Sequence, residues 1–151
     1  MAAHLWDQAI DKGNVWIKEL GEELGWTDQH AVLGALRAVL HAVRDRLPPD
    51  EAAELAAQMP LLIKGIYFDG WDPSATPTKA RTRNAFVTLV RGHLSGRTRE
   101  ADTEQIIRAV FKLLATHVSQ GEIHDVRGAL PAELADLWPV AAGTPAWETV
   151  G

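Results

Sequence analysis

Two long stretches of this chain match each other when one is shifted by 71 residues. Residues 106–139 align with residues 35–68 without a gap, and most of their apolar positions agree. A fixed period of this kind is the sequence signature of an internal duplication, in which each unit buries its apolar face against the next. Five residues are identical in this register: Arg37 with Arg108, Ala38 with Ala109, Val39 with Val110, Glu51 with Glu122 and Pro60 with Pro131.

The matched stretches have a helical pattern. In residues 28–47 the apolar side chains recur three and four positions apart, which is typical of an amphipathic helix with one buried face. Pro48 and Pro49 end that helix, because proline lacks an N–H and clashes with the preceding turn. A short helix then begins at the acids after Pro49, and a very apolar fourth helix occupies residues 60–68.

The sequence therefore predicts an all-α fold: a tandem duplication of a four-helix unit, forming one compact bundle of about eight to nine helices with pseudo-two-fold symmetry. A separate N-terminal helix is expected near residues 3–12, and Trp147 is a candidate to pack the tail onto the body. The predicted parts of the single domain 1–151 are copy 1 at 14–68, a linker at 69–80, copy 2 at 81–139 and an irregular tail at 140–151.

Composition narrows the class of protein. Hydrophobic residues make up 46% of the chain, which is enough for a core, and the absence of cysteine excludes disulfides, thiolate metal sites and cysteine nucleophiles. No signal peptide and no membrane-spanning run is recognisable, so a cytoplasmic protein is expected. The alanine content and the excess of arginine over lysine favour a bacterial source. A net charge of −5 argues against general nucleic-acid binding.

A family resemblance appears at the end of the first copy. A helix carrying His41 and the Arg44-Asp45-Arg46-Leu47 run is followed by a short acidic-alanine helix, a Pro60 turn and an exit that reads Tyr67-Phe-Asp69-Gly70-Trp71-Asp-Pro73. This arrangement resembles the bacterial proteins grouped as domain of unknown function 2267, most clearly over 35–73 and more loosely over about 14–139. In the second copy Lys112 replaces His41, and Ala115-Thr116-His117 replaces the Arg-Asp-Arg run. The resemblance implies a fold but carries no established activity.

His41 is the most suggestive of the six histidines. On a helix, Arg37, Arg44 and Asp45 are its neighbours, and Asp45 is placed to orient the imidazole, as in a ligand or catalytic site. The same spacing also describes a surface salt-bridge cluster or a polar link between the copies. Arg37, His41, Arg44 and Asp45 are therefore candidates for contact with a ligand or partner.

Metal and cofactor signatures are missing. No two histidines stand four apart on a helix, and no glycine-rich phosphate loop occurs, so neither a metal nor a cofactor is expected. The acidic pairs Glu22-Glu23 and Asp50-Glu51 lie at predicted helix ends and are interpreted as solvated charge. Ser119 and Glu122 have the spacing of a capping box that opens the third helix of the second copy.

The charges are unevenly distributed along the chain. Between Lys79 and Arg99 there are six basic residues and no acidic one, whereas residues 1–75 carry twelve acids against six bases. Such a basic segment can pair with the acidic half of the same chain or of a second chain. It can also bind phosphate or nucleic acid, which is the less favoured interpretation. The basic segment consists of Lys79, Arg81, Arg83, Arg91, Arg97 and Arg99.

The remaining candidate is Trp71 in the linker, which either packs the linker onto the helices or anchors a partner. The leading functional hypothesis is a non-enzymatic protein-interaction or regulatory module that binds a protein partner or self-associates, without a membrane. One alternative is a ligand-binding or enzymatic pocket between the copies near His41. Another is weak phosphate or nucleic-acid binding through the basic segment.

Overall fold

The polypeptide is entirely helical in the computed structural model, which describes residues 4–140. No strand occurs in that range, and none of its helices is long and apolar enough to cross a membrane. The helices are α1 (Asp7–Leu24), α2 (Gln29–Arg46), α3 (Pro49–Ala56), α4 (Leu61–Phe68), α5 (Arg83–His93), α6 (Thr103–His117) and α7 (Gln120–Ala129), with 3-10 segments at Pro73–Ala75, Gly96–Glu100 and Ala132–Leu137.

The helix boundaries follow local signals in the sequence. The side chain of Asp28 caps α2 by accepting hydrogen bonds from the backbone N–H groups of His30 and Ala31, at 3.0 and 3.3 Å. The helix ends at Arg46, two residues before Pro48, and Pro49 occupies the first turn of α3, where its missing N–H is harmless. The all-α bundle and these predicted breaks are confirmed.

Two elements differ from the prediction. The prediction of a separate N-terminal helix is wrong, because α1 runs without interruption from Asp7 to Leu24. Gly13 does not break the helix; it lies where α1 meets Leu62, and a Cβ built on it would be 3.2 Å from Leu62 Cδ1. In the second half, the segment that corresponds to α4 is the 3-10 segment Ala132–Leu137. The predicted packing of Trp147 lies outside the described residues.

The packing between the two halves is reciprocal. Helix α1 packs on α6, and α5, its counterpart in the second half, packs on α2. Helices α2 and α6 also contact each other, as do α3 and α7. This is the pattern that a two-fold relation would give, with each first helix packed against the second helix of the other half. The duplication itself stays a prediction, which this arrangement favours.

The core runs along the α2 and α6 pair. Val39 and Leu40 of α2 and Val110 and Phe111 of α6 are fully buried, and Trp16 and Trp138 are 2% and 7% exposed. Trp138 stacks on Phe111 of α6 with ring centroids 3.9 Å apart, so the irregular end of the second half is fixed by an aromatic contact.

Two helical glycines should respond oppositely to alanine. No atom lies within 4 Å of a Cβ built on Gly34, so we expect Gly34→Ala to raise the free energy of unfolding by about 1 kcal/mol through helix propensity. A Cβ on Gly21 would lie 3.1 Å from the Trp26 carbonyl oxygen, and Gly21→Ala should lower stability. Urea unfolding of both variants measures the difference, and equal stabilisation would contradict the tight approach at Gly21.

Candidate functional site

His41 and Arg44 are buried where α2 meets the end of α4. They are 6% and 3% exposed, respectively. The Nε2–H of His41 donates to the carbonyl oxygen of Ile66 at 2.8 Å, because a carbonyl can only accept. This bond identifies Nε2 as the protonated nitrogen when the ring is neutral. The rings of His41 and His93, the latter from α5, are nearly perpendicular with centroids 5.9 Å apart, so His41 also contacts the second half.

Arg44 binds the carboxyl end of α4. Its Nη1 donates to the carbonyl oxygens of Tyr67 and Asp69, both at 2.9 Å. Its Nε and Nη2 donate to the two carboxylate oxygens of Asp45 at 2.7 and 3.2 Å. Carbonyls at a helix end lack partners within the helix, and a buried one is costly when left unpaired. Arg44 therefore acts as a buried cap on α4, with Asp45 balancing its charge.

This arrangement corrects two expectations. Asp45 does not orient His41, because its carboxylate is occupied by Arg44. The cluster is also not a plain surface network, since Arg44 is buried. Arg37, two turns earlier on α2, does lie at the surface, where its Nη2 donates to Asp69 Oδ2 at 2.7 Å. The four predicted residues thus split into a buried cap and one exposed ion pair, and whether they contact a ligand or partner stays a prediction.

The linker is held by the same end of α2. Arg46 Nε donates to the Ala80 carbonyl oxygen at 2.9 Å, and the Thr78 N–H donates to the Asp45 carbonyl oxygen at 2.8 Å. Trp71 packs on Phe68 with ring centroids 5.1 Å apart and is half-buried. Its indole nitrogen is buried and has no hydrogen-bond acceptor among the described residues. The geometry matches the packing interpretation of Trp71, without the hydrogen bond expected there.

The basic segment is mostly exposed. Only Arg83 has carboxylate partners in the described chain, Glu104 and Asp136, and both belong to the second half. The expected pairing of this segment with the acidic half is therefore not made by Arg83. Within residues 4–140, the other five basic side chains have no carboxylate within 4.0 Å and lie at the surface. Binding of phosphate or nucleic acid to them stays a prediction.

Charge matching between the halves occurs elsewhere. Glu19 and Glu23 of α1 accept from His117 Nε2 at 2.6 Å and from Lys112 Nζ at 2.9 Å, on α6. The His117 ring also stacks on Trp16, 4.9 Å between centroids. In the 71-residue register Lys112 aligns with His41 and His117 aligns with Arg46. These two positions, at which the second copy differs from the first, therefore bind acids of the first half.

Sequence reasoning missed a carboxylate cluster between α3 and α7. Glu51, Glu122 and Asp125 bring carboxylate oxygens within 4.8 Å of one another. Glu51 was expected to be solvated, but its Oε1 is buried, as is Oε1 of Glu122. Burial and the adjoining Glu122 carboxylate raise the pKa of Glu51 to about 7, and burial also raises the pKa of Glu122. One feature of the sequence could have indicated this cluster: Glu51 and Glu122 are identical residues in the 71-residue register.

The capping box at the start of α7 is half confirmed. Ser119 Oγ accepts the N–H of Glu122 at 3.3 Å, as predicted. The reciprocal bond is absent from the described contacts, because the Ser119 N–H donates to Gln58 Oε1 at 2.7 Å instead of to Glu122. Gln58 Nε2 also donates to Ser119 Oγ at 3.1 Å. The side chain of Glu122 is thereby left free to face Glu51.

Two further features of the surface are a groove and an apolar face. A groove of about 880 Å³ lies beside α7, with Trp138 in its wall and the basic residues Lys112, His124 and Arg127 around it. His41 does not line it, and so this groove is not the pocket predicted between the copies. The second feature is apolar: the α1/α4 face, defined by Leu5, Trp6, Ile10, Leu61 and Leu62, whose members are 44–70% exposed.

The chain belongs to the family described as uncharacterized conserved protein (DUF2267), whose model matches residues 13–137. This match covers both halves and confirms the resemblance seen at 35–73. No curated protein matches the chain. The buried cap explains part of the family-like pattern, since the side chains of His41, Arg44 and Asp45 take part in it, whereas Tyr67 and Asp69 contribute only backbone carbonyls.

Arg44 and Arg37 form a matched pair for testing the cap. Arg44→Met should lower the free energy of unfolding by roughly 2–4 kcal/mol, because it leaves buried carbonyls unpaired and Asp45 without its partner. Arg37→Met removes the same charge from an exposed pair and should cost under about 1 kcal/mol. Denaturant unfolding measures both values. Equal losses would show that Arg44 is no more than a surface ion pair.

His41 gives a prediction about pH. Burial, aided by the nearby Arg44 and Arg37 charges, lowers the pKa of His41 below its ordinary value of 6.5. The unfolded chain therefore binds the proton more readily, and the contribution of neutral His41 is present above about pH 6.5 and lost as pH falls below it. His41→Gln keeps a donor for Ile66 but cannot titrate, and we expect its melting temperature to fall less than that of the wild type between pH 7 and 5. Parallel curves would contradict this assignment.

Proposed function

We propose that this chain is a non-enzymatic protein-interaction module and that it self-associates through the α1/α4 face. The observation that supports the proposal is the continuation of the buried stripe of α1 beyond the bundle. A cytoplasmic location belongs to the same proposal.

The apolar stripe of α1 is longer than the surface that covers it. Trp6, Ile10, Gly13 and Ile17 lie four, three and four residues apart, on one face of the helix. Gly13 is buried under Leu62 and Ile17 packs against the core. One and two turns earlier, Ile10 and Trp6 on the same face are 45% and 61% exposed. The apolar stripe of α1 that faces the core at Ile17 and Gly13 thus continues to Ile10 and Trp6, which remain substantially exposed.

Helix α4 extends this surface sideways. Leu62 contacts α1 at Gly13 and is still 44% exposed, and the preceding Leu61 is 58% exposed. The exposed apolar side chains of α4 therefore adjoin the apolar stripe of α1 at the contact between Leu62 and Gly13. A contiguous exposed apolar face of this kind, rather than scattered single side chains, is typical of a protein–protein interface.

The charges around the face favour a second copy of the chain as the partner. Asp7, Asp11, Lys12 and Lys64 are close in sequence to the exposed apolar residues, so the surface near the face carries charges of both signs. In a two-fold contact the same surface meets itself, and a rim of one sign would repel its own copy. Charges of both signs near the face avoid a repulsion of one sign, and apolar burial can then drive association.

The pocket alternative receives no support from the geometry. His41 and Arg44 are occupied by backbone carbonyls and by Asp45, and neither described cavity is lined by His41. We therefore do not propose a ligand or reaction at His41.

Ile10 and Val15 provide a matched pair of variants, because both are 45% exposed and lie on nearly opposite faces of α1. Ile10→Glu places a charge in the α1/α4 face and should weaken self-association at least about tenfold, as expected for a residue central to an interface. Val15→Glu makes the same kind of change outside the face and should leave self-association unaltered. Sedimentation velocity over a dilution series measures the dissociation constant.

A wild-type chain that stays monomeric at high micromolar concentration would rule out the second copy as the partner. Equal dissociation constants for the two variants would instead place the interface elsewhere. Circular dichroism melting of each variant separates loss of association from loss of folding.

A further inference from the structure

The carboxylate cluster between α3 and α7 lacks the partners that buried acids require. Glu122 is 9% exposed, and its Oε1 is buried with no hydrogen-bond partner in the described chain. Oε1 of Glu51 is in the same situation. No lysine, arginine or histidine nitrogen of residues 4–140 forms an ion pair with Glu51, Glu122 or Asp125. Buried charge of one sign needs a counter-charge, so the cluster is incomplete as it stands.

Local structure directs these side chains toward each other. Glu122 and Asp125 are three residues apart on α7 and so lie on one helical face. In a full capping box the Glu122 carboxylate would accept from the Ser119 N–H, but here that N–H donates to Oε1 of Gln58, two residues after the end of α3. The Glu122 carboxylate is thereby free to face Glu51 across the contact between the two helices.

The 71-residue register gives the cluster a symmetrical form. Glu51 aligns with Glu122, and Glu54 aligns with Asp125, so each half supplies an acid at both positions. Under the proposed duplication, a pseudo-two-fold axis would pass between Glu51 and Glu122. Glu54 is exposed at the rim of the cluster, where it can add a fourth carboxylate.

We propose that Glu51, Glu122 and Asp125 bind a hard divalent cation, of the class of Ca²⁺, Mg²⁺ or Mn²⁺, between α3 and α7. An all-oxygen set of carboxylates is what these ions prefer, and it disfavours zinc or copper, which take nitrogen and sulfur ligands. The cation supplies the missing positive charge and joins the two halves of the chain. The site is separate from the α1/α4 face and does not depend on the function proposed above.

Mn²⁺ is the probe for the test, because it belongs to the same class and its binding can be followed by electron paramagnetic resonance. The full chain is first treated with a chelator and then titrated slightly above neutral pH, with Ca²⁺ as competitor. We expect saturable binding at a single site and a rise in melting temperature of roughly 5 °C at saturating Mn²⁺. Glu122→Gln, which keeps the size of the side chain, should weaken Mn²⁺ binding at least about tenfold.

Asp50→Asn is the matched control. Asp50 precedes Glu51 on α3, is exposed and lies outside the cluster, so its removal changes the net charge equally. Its Mn²⁺ affinity should stay within about twofold of the wild type.

The proposal is overturned if Mn²⁺ and Ca²⁺ fail to bind the wild type below millimolar concentration, or if both variants bind Mn²⁺ equally well. In the first case a proton shared between Glu51 and Glu122 would be the occupant of the cluster. Glu51→Gln provides an independent variant of the same site, and the melting temperature of each variant without metal reports whether it folds.

Discussion

The fold depends on satisfying the carboxyl end of α4 inside the protein. Helix α4 is short and apolar, and the carbonyl groups at its end face the buried side chains of Arg44 and His41. Arg44 and His41 of α2 supply the missing donors, and Asp45 neutralises the arginine. Because a buried carbonyl without a donor is costly, this contact fixes where α4 ends and where the linker leaves it. The linker is then fastened to the end of α2 through Arg46 and Asp45.

The linker leads to a second half that packs reciprocally with the first. Helices α2 and α6 meet in the centre, and each half places its first helix on the second helix of the other half. Glu19 and Glu23 of α1 form ion pairs with α6 across this contact between the halves. At the contact between α3 and α7, acidic side chains from both halves lie close together.

Much of the helical organisation could be predicted from local residues. Asp28, Pro48 and Pro49 set the boundaries of α2 and α3, because capping and the missing proline N–H act within one turn. The continuity of α1 could not be predicted, since Gly13 resembles a weak point in the sequence and its contact with Leu62 comes from a distant helix. The burial of Arg44 was hidden for the same reason: it lies off the apolar stripe of α2, on a face that α4 covers.

The same distinction between local and distant contacts applies to the candidate sites. The sequence by itself determined the helical class, the breaks between helices, the register of 71 residues and the residues of the family pattern, all of which depend on spacing along the chain. Only the tertiary structure decided that Arg44 is a cap rather than a surface ion pair, that Gln58 displaces Glu122 at Ser119, and that Ile10 is left uncovered. Periodicity describes the faces of a single helix, whereas burial depends on which distant helix packs against each face.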